Sequence, residues 1–432
     1  MKNDKQALVP RLRFPEFQGA EEWTTAKLGS LTTISIEKVG DKTCIPMSIT
    51  SGVGLVSQEE KFGRIIAGDS YKNYLILKPN DFAYNKSATK EYPEGFLTLY
   101  SGSELAAVPN SIFTCFRVKG ESPDPRFLNY LFLGNLHGRW LRKFIQVGAR
   151  AHGSLSINDN DLMALPIPLP AGKRSVAEQQ KIADCLSSLD ALIAAQADKI
   201  DALKTHKKGL MQQLFPREGE TVPRLRFPEF RDKGEWEERS LKEVFSIFQG
   251  FAFSGNDSVD AGVRWLKIAD VSIQQMNHHS PSYLPVEYKE RFRKFSVAKG
   301  EYVIALTRPI LNGQLKMAKV DRVFDGALLN QRVGKLVTTQ ESSFVYFLLQ
   351  SCRLISDIEK SISGTEPPNL SAQQIEDIKT CIPKQTEQQR IADCLSSLDA
   401  MIAAHTEKLD ALKAHKKGLM QQLFPSSEVV GV

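Results

Sequence analysis

The sequence predicts an α+β protein built twice: two α/β globules related by a pseudo-two-fold, separated by two long antiparallel helices that form a coiled coil. Three observations predict it. The stretch VPRLRFPEF occurs at Val9 to Phe17 and again at Val222 to Phe230. A 39-residue stretch starting at Glu178 returns at Glu387 with seven differences. The segments before each long repeat carry strand-like and helix-like runs in the same order. Internal repeats are sought first because missing one miscalls the whole architecture.

Taken in order, the first short repeat opens the chain, and Trp23 and Trp236 keep its offset of 213 (236 − 23). Between the repeats, residues 31–154 and 244–369 share only patterns, such as LKPNDFAYNK beside VAKGEYVIAL; just after them, LSINDNDLMALPIPLP resembles LSAQQIEDIKTCIP. β-Branched and aromatic content predicts strands at YLILKP, SIFTCFRV, WLKIADVSI, EYVIALTRP and QRVGKLV. PRFLNYLFLGNLHGRWLRKFI and SSFVYFLLQSCRLISDIEKSI each read as a helix.

Each 39-residue repeat lacks internal proline until its last residue. In the first copy apolar side chains fall at Ile182, Leu186, Leu189, Ile193, Ile200, Leu203, Leu210 and Leu214, in alternating steps that mark a coiled-coil seam. The second copy repeats them at Ile391, Leu395, Leu398, Ile402, Leu409, Leu412, Leu419 and Leu423. Roughly 40 residues make a rod of about 60 Å. Gln196, Lys207, His405 and Lys416 break the seam in the same places and are expected to fix register. Pro216 and Pro425 end the helices. The expected domains are residues 1–168, a helical region 169–216, residues 217–383, a second helical region 384–425 and a tail 426–432.

The composition bounds function more by exclusion. No apolar run approaches the ~18 residues of a membrane span, and MKNDKQALVP has no apolar core, which predicts no signal peptide. Six scattered cysteines form no CxxC pair, so a reduced, cytoplasmic protein is expected. A net charge of +6 permits a polyanionic partner without requiring one. There is no phosphate-binding GxxxxGK[ST] loop, no GxGxxG, no HExxH or GxSxG, and no [ND]PP[FYW] tetrapeptide. Glu59-Glu60-Lys61 fits a nuclease ExK, but Pro123-Asp124 follows rather than precedes it. The chain is therefore expected to do no chemistry and to hold no metal. Polar loops interrupt the globules: YNKSATKEYPEG, GARAHGSLS, TRPILNGQLKMAK, NQR and SGTEPPNLS. Their Arg, Lys, Asn and Gln side chains suit major-groove base edges.

At DFAYNKSATKEYPEG, GARAHGSLSI, the two VPRLRFPEF openings and the two EQQ[KR]IADCL helix starts, the chain resembles the specificity subunits of type I restriction–modification systems along its whole length. The resemblance implies two target recognition domains that each read half of a split double-stranded DNA site. It implies conserved helices that set the spacer and recruit two methyltransferase (modification) subunits, which two restriction subunits can join. S-adenosylmethionine, ATP and Mg would belong to those partners, not to this chain. The alternative is an assembly scaffold whose globules bind proteins rather than DNA.

The candidate DNA-binding residues are Asn85, Lys86, Ser87, Lys90, Arg150 and His152 in the first globule. In the second they are Arg308, Asn312, Gln314, Lys316 and Thr365. The candidate helix-packing residues are Ile182, Leu186, Leu189, Ile193, Ile391, Leu395, Leu398 and Ile402.

Overall fold

The computed structural model describes residues 8–50, 52–145, 153, 155–362 and 368–431. By compactness the chain forms two units. One comprises residues up to Gln196 together with Lys408–Val432; the other is Ala197–Glu407. Each unit thus holds one globule, the first part of one long helix and the last part of the other. The division falls within both long helices.

In the first unit the strands are β1 (Thr24–Lys27), β2 (Thr32–Ser35), β3 (Ile45–Thr50), β4 (Gly54–Ser57), β5 (Leu75–Leu77), β6 (Phe82–Asn85), β7 (Phe96–Leu99), β8 (Ala106–Val108), β9 (Phe113–Val118) and β10 (Pro166–Leu169). β2, β9, β6 and β7 form an antiparallel sheet in that order. β4, β3, β8 and β5 form a second sheet whose β3–β8 pair is parallel. β6 is buried on both faces. Phe82 and Tyr84 point into the helix-covered core, while Ala83 faces the second sheet's core with Met47, Leu77 and Val108. That period-2 division explains why Phe82, Ala83 and Tyr84 are consecutive apolar residues.

The second unit repeats the plan from unrelated residues. Its strands are β11 (Glu237–Ser240), β12 (Ser246–Gln249), β13 (Val263–Leu266), β14 (Tyr283–Leu284), β15 (Tyr302–Ala305), β16 (Ile310–Leu311), β17 (Gln314–Leu315), β18 (Met317–Lys319), β19 (Leu328–Leu329), β20 (Val333–Val337) and β21 (Lys379–Ile382). β12, β20, β15 and β18 form the antiparallel sheet. β13 pairs parallel with β19 and antiparallel with β14. Tyr302 and Ile304 face the helix core, and Val303 and Ala305 the other. The β1–β10 pair of the first unit returns as β11–β21.

Two expectations need correction. The run 125–145 is not one helix but Pro125–Leu133 and Leu136–Leu141, because Gly134 ends the first and Asn135 turns left-handed (φ 62°). The run 342–362 divides likewise into Ser342–Leu349 and Cys352–Ile362. Within the tail, Ser427–Val430 is a helical turn and Val430 is buried in the first unit's core.

The long helices span Ser175–Leu214 and Gln385–Leu423. Their pairing is antiparallel. In the first unit Ile182, Ala183 and Leu186 share a core with Leu419, Met420 and Leu423. In the second, Ile391, Ala392 and Leu395 share one with Leu210, Met211 and Leu214. Leu398 is also buried, whereas Leu189, Ile193 and Ile402 are only half-buried. Gln196 and Ile200, near the middle of the first helix, are buried as well.

The seam lysines are held by carboxylates. Lys207 Nζ donates to Asp399 Oδ1 at 2.6 Å and to Gln274 Oε1 at 3.2 Å. Lys416 donates to Asp190, whose other oxygen accepts from the Tyr130 hydroxyl at 2.8 Å. The spacing from Asp to Lys is 17 in both helices (207 − 190 and 416 − 399), so one sequence supplies both halves of the antiparallel lock.

The short repeats explain themselves at the helix starts. Arg13 donates twice to Glu178 at 2.7 Å, and the Trp23 indole N–H donates to the same carboxylate at 3.3 Å. Arg226 and Trp236 clamp Glu387 in the same way, at 2.8 and 3.3 Å. The next residue mounts the globule. The Gln179 side-chain oxygen accepts from the Asp124 N–H, at the N-cap of Pro125–Leu133. Gln388 does so for Glu341, at the N-cap of Ser342–Leu349. The helix ends close the same cores. Phe424 packs on Phe127 with ring centroids 5.4 Å apart, and Phe215 packs on Phe344 at 5.6 Å.

Two stability predictions arise from these pairs. Arg226→Ala strands a buried carboxylate and is expected to cost about 3 kcal/mol in denaturant unfolding; a loss within experimental error would refute the clamp's importance. Lys207 is buried while Asp399 is largely solvated (8% and 39% side-chain exposure). Asp399→Ala should therefore destabilise more than Lys207→Met, since only the former leaves a buried charge unpaired. The reverse order in matched unfolding curves would count against this.

Candidate nucleic-acid interface

The central sheet of each unit delivers the end of its buried strand to a surface cradle. In the first unit β6 ends at Asn85, whose side-chain oxygen accepts from the Ser87 N–H at 2.9 Å and sets the chain's exit turn. Three backbone bonds then frame the cradle. Lys86 N–H donates to Ile112 O (2.8 Å), Leu155 N–H to Lys86 O (2.7 Å), and Ala88 N–H to Gly153 O (2.5 Å). Gly153 and Leu155, from the second polar loop expected from sequence, therefore lie beside Lys86 and Ala88 of the first.

The second unit builds the same frame from different residues. Leu306 N–H donates to Arg332 O (2.9 Å), Leu370 N–H to Leu306 O (2.7 Å), and Arg308 N–H to Pro368 O (2.7 Å). The correspondence sets Ala88 against Arg308 and Ile112 against Arg332. The bridge Thr307–Asn369 lies within this frame. It walls a cleft of about 550 Å³ lined by Ile247, Gln249, Leu306, Gln331, Arg332 and Asn369, among others.

The candidate side chains fall into different settings. Asn85 is buried, and Ser87 half-buried. Lys86 is committed to an ion pair with Asp159 at 2.9 Å, and the Thr114 hydroxyl donates to the same oxygen at 2.6 Å. Burial works against the charged Asp159, but the hydrogen bonds from Lys86 and Thr114 outweigh it and hold the carboxyl below its usual range. Lys90 is exposed. Arg150, His152 and Thr365 lie outside the described residues.

In the second unit Arg308, Asn312 and Gln314 are exposed and Lys316 is half-buried. Burial, then the nearby Arg308 charge, pushes the Lys316 ammonium below its usual pKa. The stretch TRPILNGQLKMAK is not the plain loop expected. It folds as the β16–β17 hairpin, turned by Asn312 (φ 51°) and Gly313 (φ 68°). Asn-Gly between apolar residues is a strong hairpin signal, and it was present in the sequence.

Sequence reasoning passed over Gln249, Gln331, Arg332 and Asn369 as individual candidates. NQR stood out only as a polar loop, and Gln249 lies at the end of a strand with no local mark. Only the fold brings them together. Among the described residues no group of three or more His, Cys, Asp or Glu is placed to hold a metal ion. No described helix is long and apolar enough to cross a membrane.

Comparisons with known proteins bear on this arrangement. The fold is that of specificity subunits. A crystal structure of the type I restriction–modification system S subunit from M. genitalium matches 97% of this chain and all of its own, with a TM-score of 0.57 at 16% identity. A chain from a structural study of complex assembly and conformational transition of the type I R-M system matches 94% of this chain and 98% of its own, with a TM-score of 0.53 at 14% identity. Residues 233–414 match the model of the type I restriction modification DNA specificity domain. The MjaVIII specificity subunit of Methanocaldococcus jannaschii is 29% identical over 65% of this chain and 66% of its own length. The EcoAI specificity subunit of Escherichia coli is 29% identical over 39% of this chain, which spans 28% of that relative. The chain is thus similar to type I restriction–modification specificity subunits, and its residues 233–414 match the type I DNA specificity domain.

The Lys86–Asp159 pair carries a pH prediction. A carboxyl held low in the folded state contributes stability above its ordinary pKa and loses it as pH falls through the folded value. Lys86→Met should thus destabilise at pH 7, with a penalty that shrinks below about pH 4. A penalty independent of pH in urea unfolding would argue against the pair.

Proposed function

We propose that the chain is the non-catalytic DNA-reading subunit of a type I restriction–modification complex, in which each unit reads one half of a bipartite, asymmetric double-stranded target. The observation that carries this reading is the contrast between frame and filling. Both units mount the same sheet and cradle on near-identical helices, yet the cradle side chains are unrelated. That is the pattern expected when one geometry must present two different base-reading surfaces.

The proposed partners are two modification subunits, with restriction subunits joining them; methylation, ATP use and cleavage would be theirs. Exposed identity in the helices supports a repeated docking surface. Asp201, Lys204, Lys208 and Gln212 are exposed in one copy, and Asp410, Lys413, Lys417 and Gln421 in the other. Core packing does not require these side chains. Spacing along one helix face puts them on a common stripe.

The helices are proposed to set the spacer between half-sites. Because Lys207–Asp399 and Lys416–Asp190 fix the register, a length change must enter both helices. One added heptad after Ala195 and another after Ala404 add about 10 Å and keep the seam in phase. Sequencing methylated DNA from cells that carry the chain with its modification subunits should show both half-sites retained and the spacer lengthened by about three base pairs. An active variant with the original spacer would overturn the ruler. Binding of the assembled complex to DNA without steep salt dependence would favour a protein-binding scaffold instead.

A further inference from the structure

The cleft in the second unit carries more than a general polar character. Its floor is apolar, formed by Ile247, Leu306 and Leu370. Gly334 permits that floor, because a Cβ there would lie 2.3 Å from the Ile247 side chain. Its walls carry Gln249, Gln331, Arg332 and Asn369. The Gln249 side-chain amide donates to Gln331 O at 2.7 Å, which fixes Gln249 at the mouth. Among the described residues no carboxylate lines the cleft.

Two arginines, one lining the cleft and one beside it, lack an internal ion pair among the described residues. The guanidinium groups of Arg332 and Arg308 make no ion pair among the described residues, whereas Arg13, Arg117 and Arg226 are each locked to a carboxylate. Both are exposed. Their backbones are nevertheless pinned by the cradle's hydrogen bonds, Arg332 through its carbonyl and Arg308 through its N–H. Arg308 is further held at φ 47°. A charged fork on a fixed backbone with no internal partner is preorganised for an external acceptor.

The two positions differ. Arg332 lines the cleft beside Gln249 and Asn369; Arg308 stands outside the lining residues, next to Thr307 at its rim. We propose that this cleft is a base-reading site for duplex DNA, in which Arg332 takes a guanine edge of the second unit's half-site and Arg308 takes a backbone phosphate. A guanidinium matches the paired O6 and N7 acceptors of guanine, and a rim cation suits the phosphate that borders the groove. At about 550 Å³ the cleft is too small to admit a duplex, so the groove edge lies across its mouth. This assignment rests on the reading of the chain as a DNA specificity subunit.

The test uses the full chain with its modification subunits and reads methylated motifs in cells. Arg332→Ala should make one position of one half-site degenerate, with the other half-site and the spacer unchanged. Arg332→Lys, which keeps the charge but loses the fork, should relax the same position. Arg308→Ala should keep the motif, and the purified complex should lose about one unit of its salt slope. Arg322→Ala, an exposed arginine outside the cleft, should change nothing.

An intact motif in Arg332→Ala, or relaxation spread over both half-sites, overturns the assignment. If that variant methylates nothing, competition binding of the purified complex to duplexes altered at each base decides. Discrimination lost roughly 10- to 100-fold at one position upholds the assignment. Discrimination retained everywhere, or binding lost to every duplex with an unchanged unfolding temperature, overturns it. A wild-type complex that leaves no bipartite methylated motif would instead defeat the specificity-subunit reading itself.

Discussion

A buried carboxylate at the start of each long helix organises this protein. Glu178 and Glu387 are almost fully buried, and each is satisfied by an arginine fork and an indole N–H. A charge in that position is tolerated only with such a shell, because an unpaired buried carboxylate costs several kcal/mol. The shell comes from the VPRLRFPEF segment and the tryptophan after it. The neighbouring Gln179 or Gln388 then accepts from the N–H of the residue that caps the globule's own helix. One dipeptide thus joins the opening segment, the long helix and the globule.

That arrangement accounts for the uneven divergence of the two halves. The helix start, the helix end and the opening arm meet in one core, where Phe127 lies between Trp23 and Phe424, and Phe344 between Trp236 and Phe215. Close-packed interiors penalise a change in any one member. The cradles at the sheet ends carry no such burden. Their frame is made of backbone hydrogen bonds, which almost any side chain permits. Arg308 can stand where the other unit has Ala88, and Arg332 where it has Ile112.

The stretch HKKGLMQQLFP has two roles divided by face. Its apolar residues and the first of its two lysines serve the interior: Met211, Leu214 and Phe215 enter the core, and Lys207 is paired with Asp399. Its second lysine and first glutamine are left at the surface in both copies. Identity at the buried positions follows from packing; identity at the exposed ones does not, and it is there that a repeated partner contact has room to act.

Much of the fold was legible in the sequence. The heptad steps located both helices to within a few residues, and the shared order of strands and helices anticipated two globules of one plan. Periodicity and repetition are local properties of a chain, and the sequence by itself determined them. The Asn-Gly turn of the β16–β17 hairpin is a local property of the same kind. What only the tertiary structure decided is which residues face the same space. Gln249, Thr307, Arg332 and Asn369 come from four separate segments and meet because β12, β20 and β15 pair in that order. Likewise Lys207 and Lys416 mark polar positions of the seam in the sequence, but only the observed register sets Asp399 and Asp190 against them. Pairings between distant segments depend on strand order and helix register. Those are set by the whole core at once, so no local stretch of sequence contains them.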